Sequence, residues 1–240
     1  MKGTDRSRAL QFMSELLLER QDDILEANTL DLEVSREMAV PELILEWLKL
    51  TPERLQIVGK TLQRLAELSD PIQQILNMPS YQVDECQTYS QLTPLGVIAF
   101  VYESFPELGA IAAGLCIRSG NSLILRGGPE ASHSNQAIVQ ALQIAIEDAG
   151  LPVECLQFLP TDHGDLIREL VTQDRYINLV IPYGRASLVQ QVIRQATAPV
   201  LKTAIGNCYL YWSPSGSLDI ARWMILESHL SEPDPVNAIE

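Results

Sequence analysis

Apolar and polar positions sort the chain into two regimes. Residues 1–71 carry apolar side chains at helical spacing, and residues 94–240 alternate short continuous apolar runs with amphipathic segments. In the first regime Ala9, Phe12, Met13, Leu16 and Leu17 recur three and four apart, and a second set follows at Ile24, Leu25, Ala27 and Leu30. A further helix is predicted after Thr51, with Thr51 as N-cap and Pro52 in the first turn. It carries Leu55, Val58, Leu62 and Leu65 on one face and is stopped by Asp70 and Pro71. Residues 72–93 lose the periodicity and read as an extended connector or a poor hairpin.

The second regime opens on PLGVIAFVYESFPELGAIAAGLCIRSGNSLILRGGPE, residues 94–130. LGVIAFV is apolar without alternation, as a strand buried on both faces should be. The small residues around 110–115 suit a helix lying close to a sheet. SGN at 119–121 gives a turn, and SLILR at 122–126 gives a second strand. Further helices are predicted over 132–149, 165–172, 187–196 and 218–227, and further strands over 156–159, 177–182 and 208–212, with a short apolar step at Val200 and Leu201. Strands alternating with helices predict an α/β fold: an N-terminal helical region plus a Rossmann-like parallel sheet with helices on both faces. The expected division is 1–71 helical, 72–93 connector and 94–240 nucleotide-binding-type domain, together one compact unit.

Composition narrows the partners. Seventeen Lys and Arg against thirty-one Asp and Glu give a net charge of −14, which opposes a phosphate-backbone footprint and disfavours nucleic acid. No apolar run reaches the roughly 18–20 residues of a membrane span, and the N-terminus lacks the apolar core of a signal peptide. Cys86, Cys116, Cys155 and Cys208 are scattered, so reduced thiols in a cytoplasmic protein are expected, without a metal site.

Ligands of an open parallel sheet bind beyond the carboxyl ends of its strands. Three loops qualify: 102–107, 126–130 and 182–187. Arg126 with Gly127 and Gly128 can approach a phosphate or ribose, Glu130 follows them, and Gly184, Arg185 and Ser187 open a helix whose amides can hold an anion. The alternative on residue types alone is that these are turns that merely connect strands.

These residues also carry a resemblance. PLGVIAFVYES, SGNSLILRGGPEASHSNQAIVQAL, LTPERLQIVGKTLQRLAELSDPI and YINLVIPYGRASLVQQVIRQATAPVLK resemble gamma-glutamyl phosphate reductase, also called glutamate-5-semialdehyde dehydrogenase, in the aldehyde dehydrogenase superfamily. The resemblance implies an aldehyde-dehydrogenase-like fold with most of the catalytic domain missing, since family members are about twice this length. It implies that the nucleophilic cysteine position is Val236, which cannot form a thioester. It puts Glu107 where the family has an asparagine oxyanion donor, and a carboxylate there would repel the developing charge. The family's Arg-Gly-Gly is replaced by Tyr183-Gly184-Arg185, its His-Gly-Asp-Gly by 203–206, and two arginines before residue 94 are absent.

The expectation is therefore a catalytically inactive, reductase-like subunit of a larger protein assembly. Trp212, Trp223, Met224 and Leu226 are its candidate interface, and the partner is a protein with a basic face or a second copy of the chain. No cofactor is expected to be retained, with NADP(H) at the Arg126 loop as the alternative. The competing readings are an NADP-dependent glutamate-5-semialdehyde dehydrogenase of proline biosynthesis completed by another chain, and a nucleotide-sensing module.

Overall fold

The computed structural model describes residues 2–73, 75–76, 90–160, 166–203, 208–230 and 239. Four helices come first: α1 (Gly3–Glu19), α2 (Gln21–Glu37), α3 (Glu42–Leu48) and α4 (Pro52–Glu67). Thr51 caps α4 as expected, its Oγ1 accepting from the Arg54 amide at 3.2 Å. A two-residue antiparallel pair, β1 (Ile75–Leu76) with β2 (Ser90–Gln91), forms the described ends of the connector.

The second regime then supplies β3 (Val97–Tyr102), α5 (Glu107–Arg118), β4 (Ser122–Arg126), α6 (Ser132–Asp148), β5 (Leu156–Phe158), α7 (Leu166–Val171), β6 (Leu179–Tyr183) and α8 (Ala186–Gln195). The sheet is parallel throughout, in the order β5-β4-β3-β6. Val200 adds one parallel bridge to Val180 outside β6. The turn at 119–121 fixes the register: Asn121 Oδ1 accepts from the Gly96 amide at 2.9 Å, and Asn178 Oδ1 from the Val97 amide at 2.8 Å. Because Asn178 spends its side chain at the sheet's edge in this way, the last strand starts at Leu179, two residues later than its apolar run suggests.

Alternation along β3 builds two cores. Ile98, Phe100 and Tyr102 face a large cluster shared with α1, α4, α5 and α6, while Ala99 and Val101 face a smaller one with Leu170, Val171 and Val192 of α7 and α8. Each fully buried Leu or Ile contributes about 1.5–3 kcal/mol by leaving water. The small residues of α5 allow close approach. A Cβ on Gly109 would meet the Tyr102 hydroxyl, and one on Gly114 would strike Leu62 of α4.

The chain divides into two compact units, Met1–Lys202 and Thr203–Glu240. The helical region and the sheet thus share one unit. In the second, α9 (Leu218–Leu230) is formed as expected, but the strand predicted over 208–212 is not. Only Cys208 makes a bridge, to Ile239, while Tyr209 and Tyr211 are exposed. Aromatic side chains favour a strand only where a pleated surface receives them. Among the described residues no helix is long and apolar enough to cross a membrane, and no group of acidic, His and Cys side chains is arranged to hold a metal ion.

Candidate functional site

From β3 the chain steps outward to β4 and β5 on one side, then returns to β6 on the other. That reversal opens a crevice at the carboxyl ends of β3 and β6, where ligands of doubly wound sheets bind. All three candidate loops meet there, and two carboxylates tie them together.

The first is Glu103, 8% exposed at the end of β3. Its Oε1 accepts from the Arg185 amide and from Arg185 Nε at 3.1 Å, and its Oε2 accepts from Nη2 at 2.9 Å. Gly184 makes this possible. Its φ is +149°, and a Cβ there would lie 2.5 Å from Glu103 Cγ. The second carboxylate is Glu130, whose Oε1 accepts from the Ser104 amide at 2.7 Å and from Ser104 Oγ at 3.1 Å. Ser104 itself has a positive φ of 66°. Gly128 leaves the room into which Glu130 folds, and Gly127 packs against Asn135, which accepts the Tyr102 hydroxyl at 2.9 Å.

Arg126 ends β4 at 7% exposure, donates through Nη1 to the Gly127 carbonyl, and leaves Nε buried without a partner. Burial holds its pKa below the usual arginine range, against the pull of Glu130. Arg126, Gly127, Gly128, Glu130 and Gly184 are therefore brought to one crevice, and Ser187 is exposed in the first turn of α8. Between α6 and the end of β5 lies an open cavity of about 400 Å³ lined by Ser132, Gln136, Val139, Gln140, Phe158 and Pro160.

Glu107 opens α5 and belongs to a separate arrangement. Arg54 of α4 holds its Oε1 through Nε at 3.0 Å and through Nη2, and Oε2 is buried without a partner. The same guanidinium lies 6.0 Å from the Phe105 ring centroid, and Phe105 stacks on Trp47 at 5.2 Å. Three glutamates thus stand at this end of the sheet, each already accepting from an amide or a guanidinium. Val236 lies outside the described residues. Trp212, Trp223, Met224 and Leu226 are all exposed in the second unit, and Trp212 Nε1 donates to the Gly216 carbonyl at 2.9 Å.

Sequence reasoning placed Arg185 at a helix start and 102–107 among the candidate loops but missed the pairing of Glu103 with Arg185 and of Ser104 with Glu130. The only local signal was a buried strand ending in a carboxylate.

Cys116 and Cys155 are poor nucleophiles. Burial pushes Cys116 up to about 12 and Cys155 up to about 11, from 9.0. Each unfolded thiol ionises first, so these groups contribute stability that is intact below pH about 9 and is lost as pH rises toward 11–12. The expected slope is about 1.4 kcal/mol per pH unit per thiol in that window. Denaturant melts across pH 8 to 11 check it, with Cys116→Ala showing a shallower decline.

Comparison with known proteins agrees with this architecture. The aldehyde dehydrogenase family model matches residues 1–206. The chain is 55% identical over 238 residues to gamma-glutamyl phosphate reductase 2 of Synechocystis sp., covering 99% of this chain and 56% of that protein. It is 38% identical to the gamma-glutamyl phosphate reductase of Gloeobacter violaceus, covering 98% and 56%. The crystal structure of the Thermotoga maritima gamma-glutamyl phosphate reductase superposes with a TM-score of 0.88 at 32% identity, covering 100% of this chain and 58% of that one. The chain therefore spans little more than half the length of these relatives. With a parallel sheet, helices on both faces and a family match over most of its length, this chain belongs to the aldehyde dehydrogenase family, among relatives that are gamma-glutamyl phosphate reductases.

Proposed function

We propose that this chain is a reductase-type nucleotide-domain module that serves as a structural or regulatory subunit of a protein assembly and does not itself carry out acyl transfer. The observation that carries the proposal is α9. Trp223, Met224, Ile225 and Leu226 are consecutive, so they point to every side of the helix, and they are 63, 41, 44 and 45% exposed. An exposed turn of helix that is apolar on every side calls for cover. The net charge of −14 favours a partner with a basic face.

The crevice supports the absence of chemistry. Acyl transfer through a thioester needs a thiolate and donors aimed at the developing oxyanion. Glu103 and Glu130 instead gather acceptors there, and the resemblance puts Glu107 at the oxyanion-donor position and Val236 at the nucleophile position. A double substitution, Trp223→Asp with Leu226→Asp, is expected to leave the fold intact, because both side chains are exposed. It should dissociate the assembly purified from the native cells, read as a drop in mass by light scattering. An unchanged mass counts against α9 as the interface.

The 55% identity to a reductase favours a second reading, an NADP-dependent glutamate-5-semialdehyde dehydrogenase of proline biosynthesis completed by another chain. Turnover would then appear only when a chain bearing the thiol is added. The cavity beside α6 and the Arg126 loop favour retention of a nucleotide of the NADP(H) type, either in that role or as a sensed ligand.

A further inference from the structure

Arg185 stands where the reductase pattern has a glycine, and its side chain bridges the crevice in which a nucleotide's phosphates would lie. We propose that the Glu103–Arg185 pair is an autoinhibitory clasp, closed over the crevice between β3 and β6, that a phosphate-bearing nucleotide must open before it reaches the amides at the start of α8. The inference rests on the nucleotide reading above and adds the device that regulates it.

Three observations converge on it. Glu103 holds the place of an anion at α8, a helix of ten residues, by accepting from the Arg185 amide at its N-cap. The position is therefore built for an anion and filled by the chain's own carboxylate. The guanidinium completes a two-oxygen fork on that carboxylate, with Nε at 3.1 Å and Nη2 at 2.9 Å. Finally, the two partners differ in freedom: the Glu103 side chain is 10% exposed and the Arg185 side chain 58%.

Arg185 is thus the moving arm and Glu103 the fixed catch. Glu130, tied to Ser104 on the same loop as Glu103, adds a second negative charge near the guanidinium, and both carboxylates favour its charged form. With the clasp closed, an incoming phosphate meets two carboxylates and no free cation from this arm. With it open, Arg185 can turn onto the phosphate.

A ligand that binds only the open form has its apparent affinity reduced by the open fraction. If the clasp is open about a tenth of the time, removing it strengthens binding about tenfold. Calorimetric titration of the full chain with NADPH, for the native protein, Glu103→Gln and Arg185→Ala, reads this directly. The glutamine variant removes the charge that fills the anion position and frees the guanidinium, and should bind about tenfold more tightly than the native chain. The alanine variant leaves the Glu103 carboxylate on the amide at position 185 without its cation, and should bind no more tightly than the native chain. Hydrogen exchange on the unliganded proteins should show faster exchange at amides 103–105 and 185–188 in the glutamine variant.

Equal affinity in all three forms overturns the clasp while the nucleotide reading stands. Unchanged exchange in Glu103→Gln likewise overturns the clasp as a closure. Absence of NADPH binding in every form overturns the nucleotide reading, and the proposal with it.

Discussion

Replacing Asp31 with alanine is expected to cost about 3–5 kcal/mol, enough to lower the melting temperature of the chain by roughly 10 °C. Asp31 lies on α2 at 3% exposure and acts as the N-cap that α6 does not supply for itself. Its Oδ1 accepts from the His133 amide at 3.0 Å and lies 2.8 Å from His133 Nδ1, while Oδ2 accepts from the Ser134 amide at 2.8 Å and from Ser134 Oγ at 2.6 Å. Alanine would leave those first-turn donors without an acceptor and remove the negative charge facing the helix's positive end. Asn28, one turn earlier, reinforces the joint. Its side chain donates to the Leu48 carbonyl at 2.9 Å and to Ser134 Oγ at 3.0 Å, and accepts from the Leu50 amide at 2.8 Å. Urea denaturation of the variant measures the loss. Asp31→Asn should be milder, because one oxygen still accepts.

The second large effect is expected at Leu62. This side chain of α4 is fully buried and fills the notch that Gly114 leaves on α5. Leu62→Ala removes three carbons from a packed joint and opens a cavity bounded by helices that cannot collapse freely. The expected loss is about 2–5 kcal/mol, read from the same denaturation experiment. Together Asp31 and Leu62 state why residues 1–71 are not an appendage. α2 caps α6, α4 packs on α5, and both α5 and α6 cover the sheet that forms the crevice. A single cooperative transition for residues 1–202 follows from that wiring.

Much of this fold is legible in the sequence because burial on both faces leaves an unbroken apolar run. VIAFVY and SLILR therefore announce β3 and β4, and the Gly-then-Pro at 150–152 announces the end of α6. The run at 208–212 misleads for the same reason. It is rich in aromatic residues, yet no neighbouring strand among the described residues receives it beyond the single bridge at Cys208.

Polar residues on buried helix faces are harder to read. Asn28, Asp31 and Ser35 share a face with Ile24, but by composition they look like solvent-facing positions. The partners of Asp31, and one of those of Asn28, lie about a hundred residues away, and no local pattern records them. The crevice divides in the same way. Arg126, Gly127, Gly128 and Gly184 signal themselves by type and position. The Glu103–Arg185 tie joins residues 82 apart and exists only once β6 has returned beside β3. Glu107 was picked out only through the resemblance, as a carboxylate at an oxyanion-donor position. Its capture by Arg54, 53 positions upstream, was not.

We propose that this chain carries the reductase fold without performing the reductase's acyl transfer. The measurement that tests it most directly is NADPH formation by the purified full chain from glutamate-5-semialdehyde, phosphate and NADP⁺. The same assay is run on a gamma-glutamyl phosphate reductase as a positive control. No NADPH above the enzyme-free rate is the result predicted by the carboxylates of the crevice and by Val236. Sustained NADPH formation by this chain alone would contradict the account and return it to the enzymes it resembles.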